Sequence, residues 1–287
     1  MTRYGTILPP DPVEFPLAAN APGVSEAMNQ RNDSFFEVDQ SIATTSEGDV
    51  ALPMLFYDAS LMLGLFHVDA SKLTEAIGGV GVEPALDMRG RGVVGLAFYE
   101  YRDASIASYN EVGLAAQVVR KGSKPPKFPL VDMVRKPASR KSYNYLFHLP
   151  VTTRSANAAG REIWGFPKFV AEIPLNFDGS RFEGSILESP SATPILKYSG
   201  SRGRGLSLPG MDLCLYTELD DQPMETVVDT NYKGYVGTGG NMTLKVGKSD
   251  HPMAQTLRKL DLDGKSPFLT HMAEGFRSRL NAATALS

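Results

Sequence analysis

Short apolar runs separated by glycine, proline, aspartate or serine recur along most of the chain. Residues 61–68 form one such run, and Asp69 follows as a cap for a helix over Ala70–Ile77 that Gly78 ends. The other runs are strand-like and lie at residues 93–101, 112–119, 143–151, 169–175, 181–187 and 213–218. Many short strands with few helices predict an α+β fold built on a largely antiparallel, closed or cone-like β-barrel with peripheral helices.

Two helices are predicted towards the C-terminal end. Asp250-His251-Pro252 has the form of a helix start, and Leu257 and Leu260 follow at helical spacing. A second helix is predicted over residues 267–280, because large apolar residues recur there at four-residue intervals and would form one buried face. These residues are Phe268, Met272, Phe276 and Leu280.

The first 48 residues differ in composition from the rest of the chain. They are rich in Pro, Asn, Ala and Ser and contain only short apolar groups such as Phe35-Phe36. We therefore predict an N-terminal arm over residues 1–48 and a single β-barrel catalytic domain over residues 49–287. Arms of this kind commonly wrap a neighbouring subunit or the body of their own chain, and we expect a homo-oligomer.

Charge and composition narrow the classes of partner. The chain has 29 Lys and Arg against 32 Asp and Glu, with no long run of one sign, so we expect neither nucleic acid nor a membrane as a partner. No apolar signal segment begins it, and no apolar run approaches the roughly 18 residues that span a bilayer, which predicts a cytoplasmic protein. Cys214 is the only cysteine, and the four histidines lack metal-ligand spacing, so we predict no metal and no cofactor.

The segment at residues 160–169 carries the candidate chemistry. It places the only tryptophan, Trp164, close to Phe166 and Lys168. If the segment is extended, these three side chains share one face, and two aromatic rings flank the amine. A lysine with the ordinary pKa of about 10.4 is almost all ammonium at neutral pH, but complete burial lowers such a pKa by about 3 to 5 units. A buried, aromatic-lined lysine is suited to act as a Schiff-base nucleophile, and the alternative is a lysine whose stem covers apolar surface.

The same segment resembles the active-site stretch of the acetoacetate decarboxylase family, whose pattern reads Gly-Arg-Glu, a short spacer, then aromatic-Pro-Lys. Here Gly160-Arg161-Glu162 is followed by Phe166-Pro167-Lys168, and Tyr109-Asn110-Glu111 resembles the Tyr-x-Glu of an earlier strand. The resemblance extends over roughly residues 51–280. It implies that Lys168 is the Schiff-base lysine and that Glu111 is the carboxylate that handles protons or orients the substrate.

Three positions depart from the family pattern. A second lysine should follow the nucleophile directly, where this chain has Phe169, so activation must come mainly from burial. An arginine of the first barrel strand is matched by Ala59, and a second glutamate expected near residues 96–97 has only Glu100 close to it. An arginine fork suits the binding of a carboxylate, so acetoacetate is a doubtful substrate. The altered pocket is more similar to relatives that look like aldolase-dehydratases acting on keto acids such as pyruvate.

The candidate residues for substrate binding are Trp164, Phe166, Tyr109, His148 and Arg161. Tyr109 shares a strand face with Glu111 and could donate a proton, although core packing explains it equally well. His148 could protonate an enamine, and its alternative is a hydrogen-bonded core histidine. Arg161 could bind a carboxylate, and the preferred alternative is a structural pair with the adjacent Glu162.

Together these observations predict a Schiff-base-forming lyase that acts on a small keto acid or a related carbonyl compound. The enamine that such an enzyme forms supports either aldol and dehydration chemistry or decarboxylation. Two alternatives stay open at this point. The first is a β-keto acid decarboxylase of the acetoacetate type. The second is a non-catalytic barrel that binds an apolar acid through Lys168.

Overall fold

The computed structural model describes residues 31–286, which form 18 strands and four α-helices. The strands are β1 (Ser41–Thr45), β2 (Gly48–Leu52), β3 (Met54–Asp69), β4 (Val82–Pro84), β5 (Arg91–Ala104), β6 (Tyr109–Arg120), β7 (Tyr143–Val151), β8 (Lys168–Glu172), β9 (Leu175–Asp178), β10 (Arg181–Glu188), β11 (Pro194–Ser201), β12 (Gly205–Pro209), β13 (Leu213–Leu219), β14 (Gln222–Thr230), β15 (Lys233–Thr238), β16 (Thr243–Val246), β17 (Leu269–Leu280) and β18 (Thr284–Ala285). The helices are α1 (Ala70–Ile77), α2 (Pro129–Met133), α3 (Arg154–Trp164) and α4 (Pro252–Lys259), with 3-10 turns at Ser34–Phe36 and Pro137–Ser139.

Seven strands pair in a closed ring in the order β6, β7, β13, β14, β17, β3, β5 and back to β6. All of these pairings are antiparallel except that of β7 with β13. Closure lets the strands of the ring satisfy their backbone groups on both sides. This cone-like, largely antiparallel sheet with few helices confirms the predicted fold class.

Strand β7 joins the ring to a second layer of sheet. Residues 144 and 145 of β7 pair with β13, and residues 149–151 pair with β8. Both pairings are parallel. From β8 the second layer continues through β10 and β11 to β16 and shares one apolar core with the outer face of the ring. The start of β8 is therefore fixed against the ring at the end of β7.

Strand β6 shows how the two faces of the ring differ. One set of alternating residues enters the core between the two layers, namely Val112, Leu114, Ala116 and Val118. The other set lines a cavity inside the ring, namely Tyr109, Glu111, Gly113, Ala115 and Gln117. The period of two along a strand separates these sets, because successive side chains point to opposite faces.

The predicted helix over residues 267–280 is wrong, because this segment forms strand β17 and pairs with β3 and β14. A four-residue interval keeps residues on one face of a helix and also on one face of a strand, so the spacing fits both. A bulge at Gly275, whose φ is +67°, interrupts the register between Ala273 and Phe276. As a result Met272 lies in the core between the layers, whereas Phe276 and Leu280 line the cavity.

The other predicted elements are confirmed with changes in their bounds. Helix α1 begins after Asp69, whose carboxylate accepts hydrogen bonds from the next turn, and ends at Gly78 with a φ of 73°. Helix α4 begins at Pro252 and is capped by the side chain of His251. The strand predicted over residues 169–175 is instead divided into β8 and β9.

Residues 1–30 of the predicted arm lie outside the described residues. The remainder of the arm contains the first 3-10 turn and strand β1. Strands β1 and β2 form a hairpin in which Thr45 pairs with Gly48, so the hairpin spans the predicted boundary at residue 48. Between residues 31 and 286, no helix is long and apolar enough to cross a membrane.

Candidate active site

Lys168 is the first residue of β8 and follows a tight turn at the end of α3. The turn is made by Gly165, which has a φ of 65° and whose added Cβ would lie 2.3 Å from the carbonyl oxygen of Glu218. Both the left-handed backbone and the close approach require glycine there. Pairing of Lys168 with Leu149 of β7 then directs the lysine side chain into the cavity, where the residue is 3% exposed.

The extended conformation expected for residues 164–168 is not observed, since Trp164 is the last residue of helix α3. Its ring stacks on Phe166 with 5.6 Å between centroids, and its indole N–H donates to the carbonyl oxygen of Asn281. Trp164 does not line the cavity, whereas Phe166 does, with its ring centroid 5.9 Å from Lys168 Nζ. Trp164 therefore supports Phe166 from behind and is not a direct neighbour of the amine, which corrects the prediction.

Gly160 of helix α3 lies against the stem of Lys168. A Cβ added to Gly160 would lie 2.3 Å from Cδ and 2.4 Å from Cε of that lysine, distances that real Cβ atoms do not show. The glycine of the Gly-Arg-Glu motif thus makes room for the lysine side chain. Gly160 is part of the motif recognised in the sequence, but the neighbouring residues do not indicate that a glycine is needed there to accommodate Lys168.

Glu111 and Lys168 form a buried pair. Lys168 Nζ donates to Glu111 Oε2 over 2.7 Å, and Glu111 is 8% exposed, so it is not a solvated strand end. An amine and a carboxylate thus lie within hydrogen-bonding distance of each other at the wall of the cavity.

Three tyrosines surround this pair. Tyr109 has its ring centroid 5.6 Å from Lys168 Nζ, and the hydroxyl of Tyr101 donates to Glu111 Oε1 over 3.5 Å. Tyr99 stacks on Tyr101 with centroids 5.4 Å apart. Burial is the main cause that raises the pKa of all three hydroxyls, with the charge of Glu111 adding to it. All three hydroxyls consequently stay protonated, and Tyr101 donates its proton to Glu111.

The cavity inside the ring has an empty volume of about 1000 Å³, counting solvent at its mouth. Among the described residues that line it, Lys168 and Glu111 alone carry charged side chains. The polar lining is completed by the three tyrosines and by Gln117, Asn144 and Ser278. The rest of the wall is apolar.

His148 and Arg161 lie outside this cavity. His148 Nε2 contacts Thr256 Oγ1 of helix α4 at 2.9 Å, and burial, followed by the charge of His251, lowers its pKa to about 4. Arg161 is exposed, and its guanidinium donates to the backbone carbonyl of Lys168. Glu162, the predicted structural partner of Arg161, instead accepts hydrogen bonds from Ser46, which lies between β1 and β2. Neither side chain therefore lines the cavity that contains Lys168.

The positions that depart from the family pattern contribute no charge to the cavity. Ala59 is fully buried, and Phe169 packs its ring against His251, 4.3 Å between centroids. Glu100 pairs with Arg102, which also binds Asp58, and none of these three lines the cavity. In the part of the chain that the structure describes, no group of three or more potential metal ligands occurs.

Comparison with known proteins places this chain in a family. The sequence model described as acetoacetate decarboxylase (ADC) matches residues 41–193, slightly more than half of the chain. A search of curated proteins found no significant match.

Solved structures share the fold at low sequence identity. An acetoacetate decarboxylase from Legionella pneumophila has a TM-score of 0.59 and 19% identity, covering 94% of this chain and 98% of the other. The enduracididine biosynthesis enzyme MppR complexed with pyruvate has a TM-score of 0.55 and 11% identity over 82% and 90% of the two chains. An acetoacetate decarboxylase-like enzyme from Sphingomonas wittichii has a TM-score of 0.53 and 12% identity over 82% and 92%.

Proposed function

Since the chain belongs to the acetoacetate decarboxylase family, we propose that it is a lyase in which Lys168 forms a Schiff base with a keto acid or a related carbonyl compound. Glu111 is the proton-transfer partner of the lysine in this proposal. The single observation that carries it is the contact of 2.7 Å between Lys168 Nζ and Glu111 Oε2, buried at the wall of an apolar cavity.

The first step is proton transfer from the ammonium of Lys168 to Glu111, which leaves a neutral amine. The amine nitrogen attacks the substrate carbonyl carbon, and the carbonyl oxygen leaves as water after Glu111 returns a proton. One carbonyl group and one primary amine thus give one imine and one water. The low dielectric of the site makes the first transfer accessible, because the neutral pair loses little solvation there.

The protonated imine then withdraws electrons from the adjacent carbon. That carbon either loses carbon dioxide or gives up a proton to Glu111, and both routes produce an enamine. The tyrosine hydroxyls of Tyr99, Tyr101 and Tyr109 face the same space and are suited to donate hydrogen bonds to a substrate oxygen.

The cavity favours loss of a proton over loss of carbon dioxide. A leaving carboxylate needs a cationic group that holds it, and among the described lining residues the only cation is Lys168 itself. Formation of an enamine, its addition to an aldehyde and loss of water require no such group. MppR, which has a similar fold, was solved with the condensation product of pyruvate and imidazole 4-carboxaldehyde, and this supports the same order of preference.

Borohydride trapping tests the proposal. Reduction in the presence of a carbonyl probe should add the probe mass to Lys168, located by peptide mass spectrometry, and Lys168→Met should abolish the label. Lys197→Met is a matched control, because Lys197 forms a Lys-Glu pair with Glu183 on the surface. A label on another lysine, or none with any carbonyl probe, would contradict the proposal. A non-catalytic barrel that binds an apolar acid would give no covalent adduct.

A further inference from the structure

The cavity continues beyond the lysine along strands β5 and β6. In the register of these strands Tyr99 pairs with Glu111, and the following inward pairs are Ala97 with Gly113 and Gly95 with Ala115. All four of these small residues line the cavity. A Cβ added to Gly95 would lie 3.3 Å from Leu63 Cδ1, and one added to Gly113 would lie 3.5 Å from Leu149 Cδ1, so leucine side chains pack over both glycines. The space that leads away from the Lys168–Glu111 pair is therefore a narrow groove beside Ala97 and Ala115.

The groove is long enough for an extended chain. From Glu111 to Gln117, the last cavity residue of β6, the strand advances by six residues or about 20 Å. Three consecutive single bonds of an extended chain span about 3.5 Å, so a path of about 20 Å corresponds to a linear chain of about 17 bonds. Its side walls are aliphatic and include Leu63, Leu65 and Val93.

The charges in the groove oppose an acidic substrate. Among the described lining residues Glu111 is the one acidic group, and its carboxylate already neutralises the positive charge of Lys168, whether that charge lies on the ammonium or on the protonated imine. No described lining residue other than Lys168 offers a positive charge in return. A carboxylate taken from water into this site is therefore desolvated without compensation.

Building on the function proposed above, we propose that the substrate is a neutral carbonyl compound with an unbranched apolar chain. Its carbonyl carbon bonds to Lys168, and its chain lies beside Ala97 and Ala115. The small residues select for a slender chain, and the absence of a second cation among the described lining residues selects against a carboxylate.

The experiment measures the probe concentration that gives half-maximal borohydride trapping on Lys168. The neutral probes are acetone and 2-octanone, and the acidic probes pyruvate and 2-oxooctanoate have the same chains with a carboxylate in place of one methyl. Each value is divided by that for Nα-acetyl-lysine, which removes the intrinsic reactivity of the carbonyl. We expect the normalised value to fall by about fourfold per added methylene and to be at least tenfold lower for 2-octanone than for 2-oxooctanoate.

A pair of variants locates the chain. Ala115→Leu fills the groove away from the lysine, so it should weaken trapping of 2-octanone by about tenfold or more and leave acetone unchanged. Ala282→Leu makes the same substitution at an exposed position outside the cavity and should leave both probes unchanged. Unaltered trapping of acetone also reports that the Ala115→Leu protein is folded around an intact lysine.

The outcomes separate the two proposals. Trapping on Lys168 that is independent of chain length, or stronger with the acidic probes, overturns the neutral-chain substrate and leaves the Schiff-base lysine standing. Equal loss of acetone and 2-octanone in Ala115→Leu overturns the assignment of the groove. Absence of any adduct on Lys168 removes the proposed function, and the inference falls with it.

Discussion

Glu111→Gln is the sharpest perturbation of the candidate site, because it removes one charge from the Lys168–Glu111 pair and nearly preserves its shape. Removal of one partner from a buried ion pair leaves an uncompensated charge that costs about 3 to 5 kcal/mol. Lys168 avoids that cost by releasing its proton. At about 1.4 kcal/mol per pH unit, the amine should then become available at a pH lower by about two units or more.

In this variant, imine formation should consequently occur at lower pH, whereas proton transfer from the substrate should become slower. In Glu111→Gln, the pH of half-maximal borohydride trapping should move down by about two units. Exchange of the α-protons of a bound ketone for deuterium, followed by NMR, needs a base and should slow by about 100-fold or more. This exchange reports enamine formation directly and does not depend on which bond later breaks.

Glu183→Gln is the matched control, since Glu183 forms the exposed pair with Lys197 and should change neither measurement. A trapping profile that stays in place or moves up would show that Glu111 does not hold the lysine as an ammonium. Wild-type exchange in Glu111→Gln would show that another group takes the proton. Either result would remove Glu111 as the proton-transfer partner of Lys168.

Three further predictions concern stability and positioning. Lys168→Met leaves Glu111 buried without its partner and should destabilise the fold by about 3 kcal/mol at neutral pH, and most of that loss should disappear in the double variant Lys168→Met/Glu111→Gln, as measured by urea unfolding. Gly160→Ala should displace the lysine stem and reduce the rate of trapping by about tenfold or more, with the ordinary secondary structure retained in circular dichroism. Burial lowers the pKa of His148 and of His271 to about 4. The unfolded chain therefore binds more protons than the folded one between about pH 6.5 and pH 4. As the pH falls through that range, the free energy of unfolding should decrease by about 3 kcal/mol for each histidine. Unfolding at pH 7 and pH 4 should show a smaller loss in His271→Leu, and an equal loss would contradict this assignment.

The sequence correctly predicted those elements whose end signals and apolar spacing lie within the element itself. Helix α1 is one example, because Asp69 and Gly78 define both of its ends within ten residues. Strand β17 is the counterexample, since its apolar spacing fits two secondary structures and only pairing with β3 decides between them. The bulge at Gly275, which divides its residues between two cores, was equally invisible without the neighbouring strand.

In the candidate site, too, the sequence indicated single residues but not the tertiary contacts between them. Lys168 and Glu111 could be selected from motifs, but their contact joins residues 57 positions apart and depends on the ring. Tyr99 and Tyr101 reach the pair only through the register of β5 with β6, and Gly160 acts through a tertiary contact. Trp164 was misplaced because the chain turns at Gly165, a conformation that the alternation of side chains along a strand does not include.

The parallel pairing of β7 with β13 has a consequence for how this protein folds. It closes the ring between residues about 70 positions apart, such as Asn144 and Leu215, and the strands that complete the ring come from the last third of the chain. Contacts between residues so far apart in the sequence cost chain entropy before the burial of apolar surface stabilises them, so they form late and slowly. The lysine and glutamate therefore stay hydrated until the final strands arrive, and their desolvation coincides with ring closure. A nascent chain that ends near residue 193, where the match to the family model stops, holds both residues but not the complete ring that buries them.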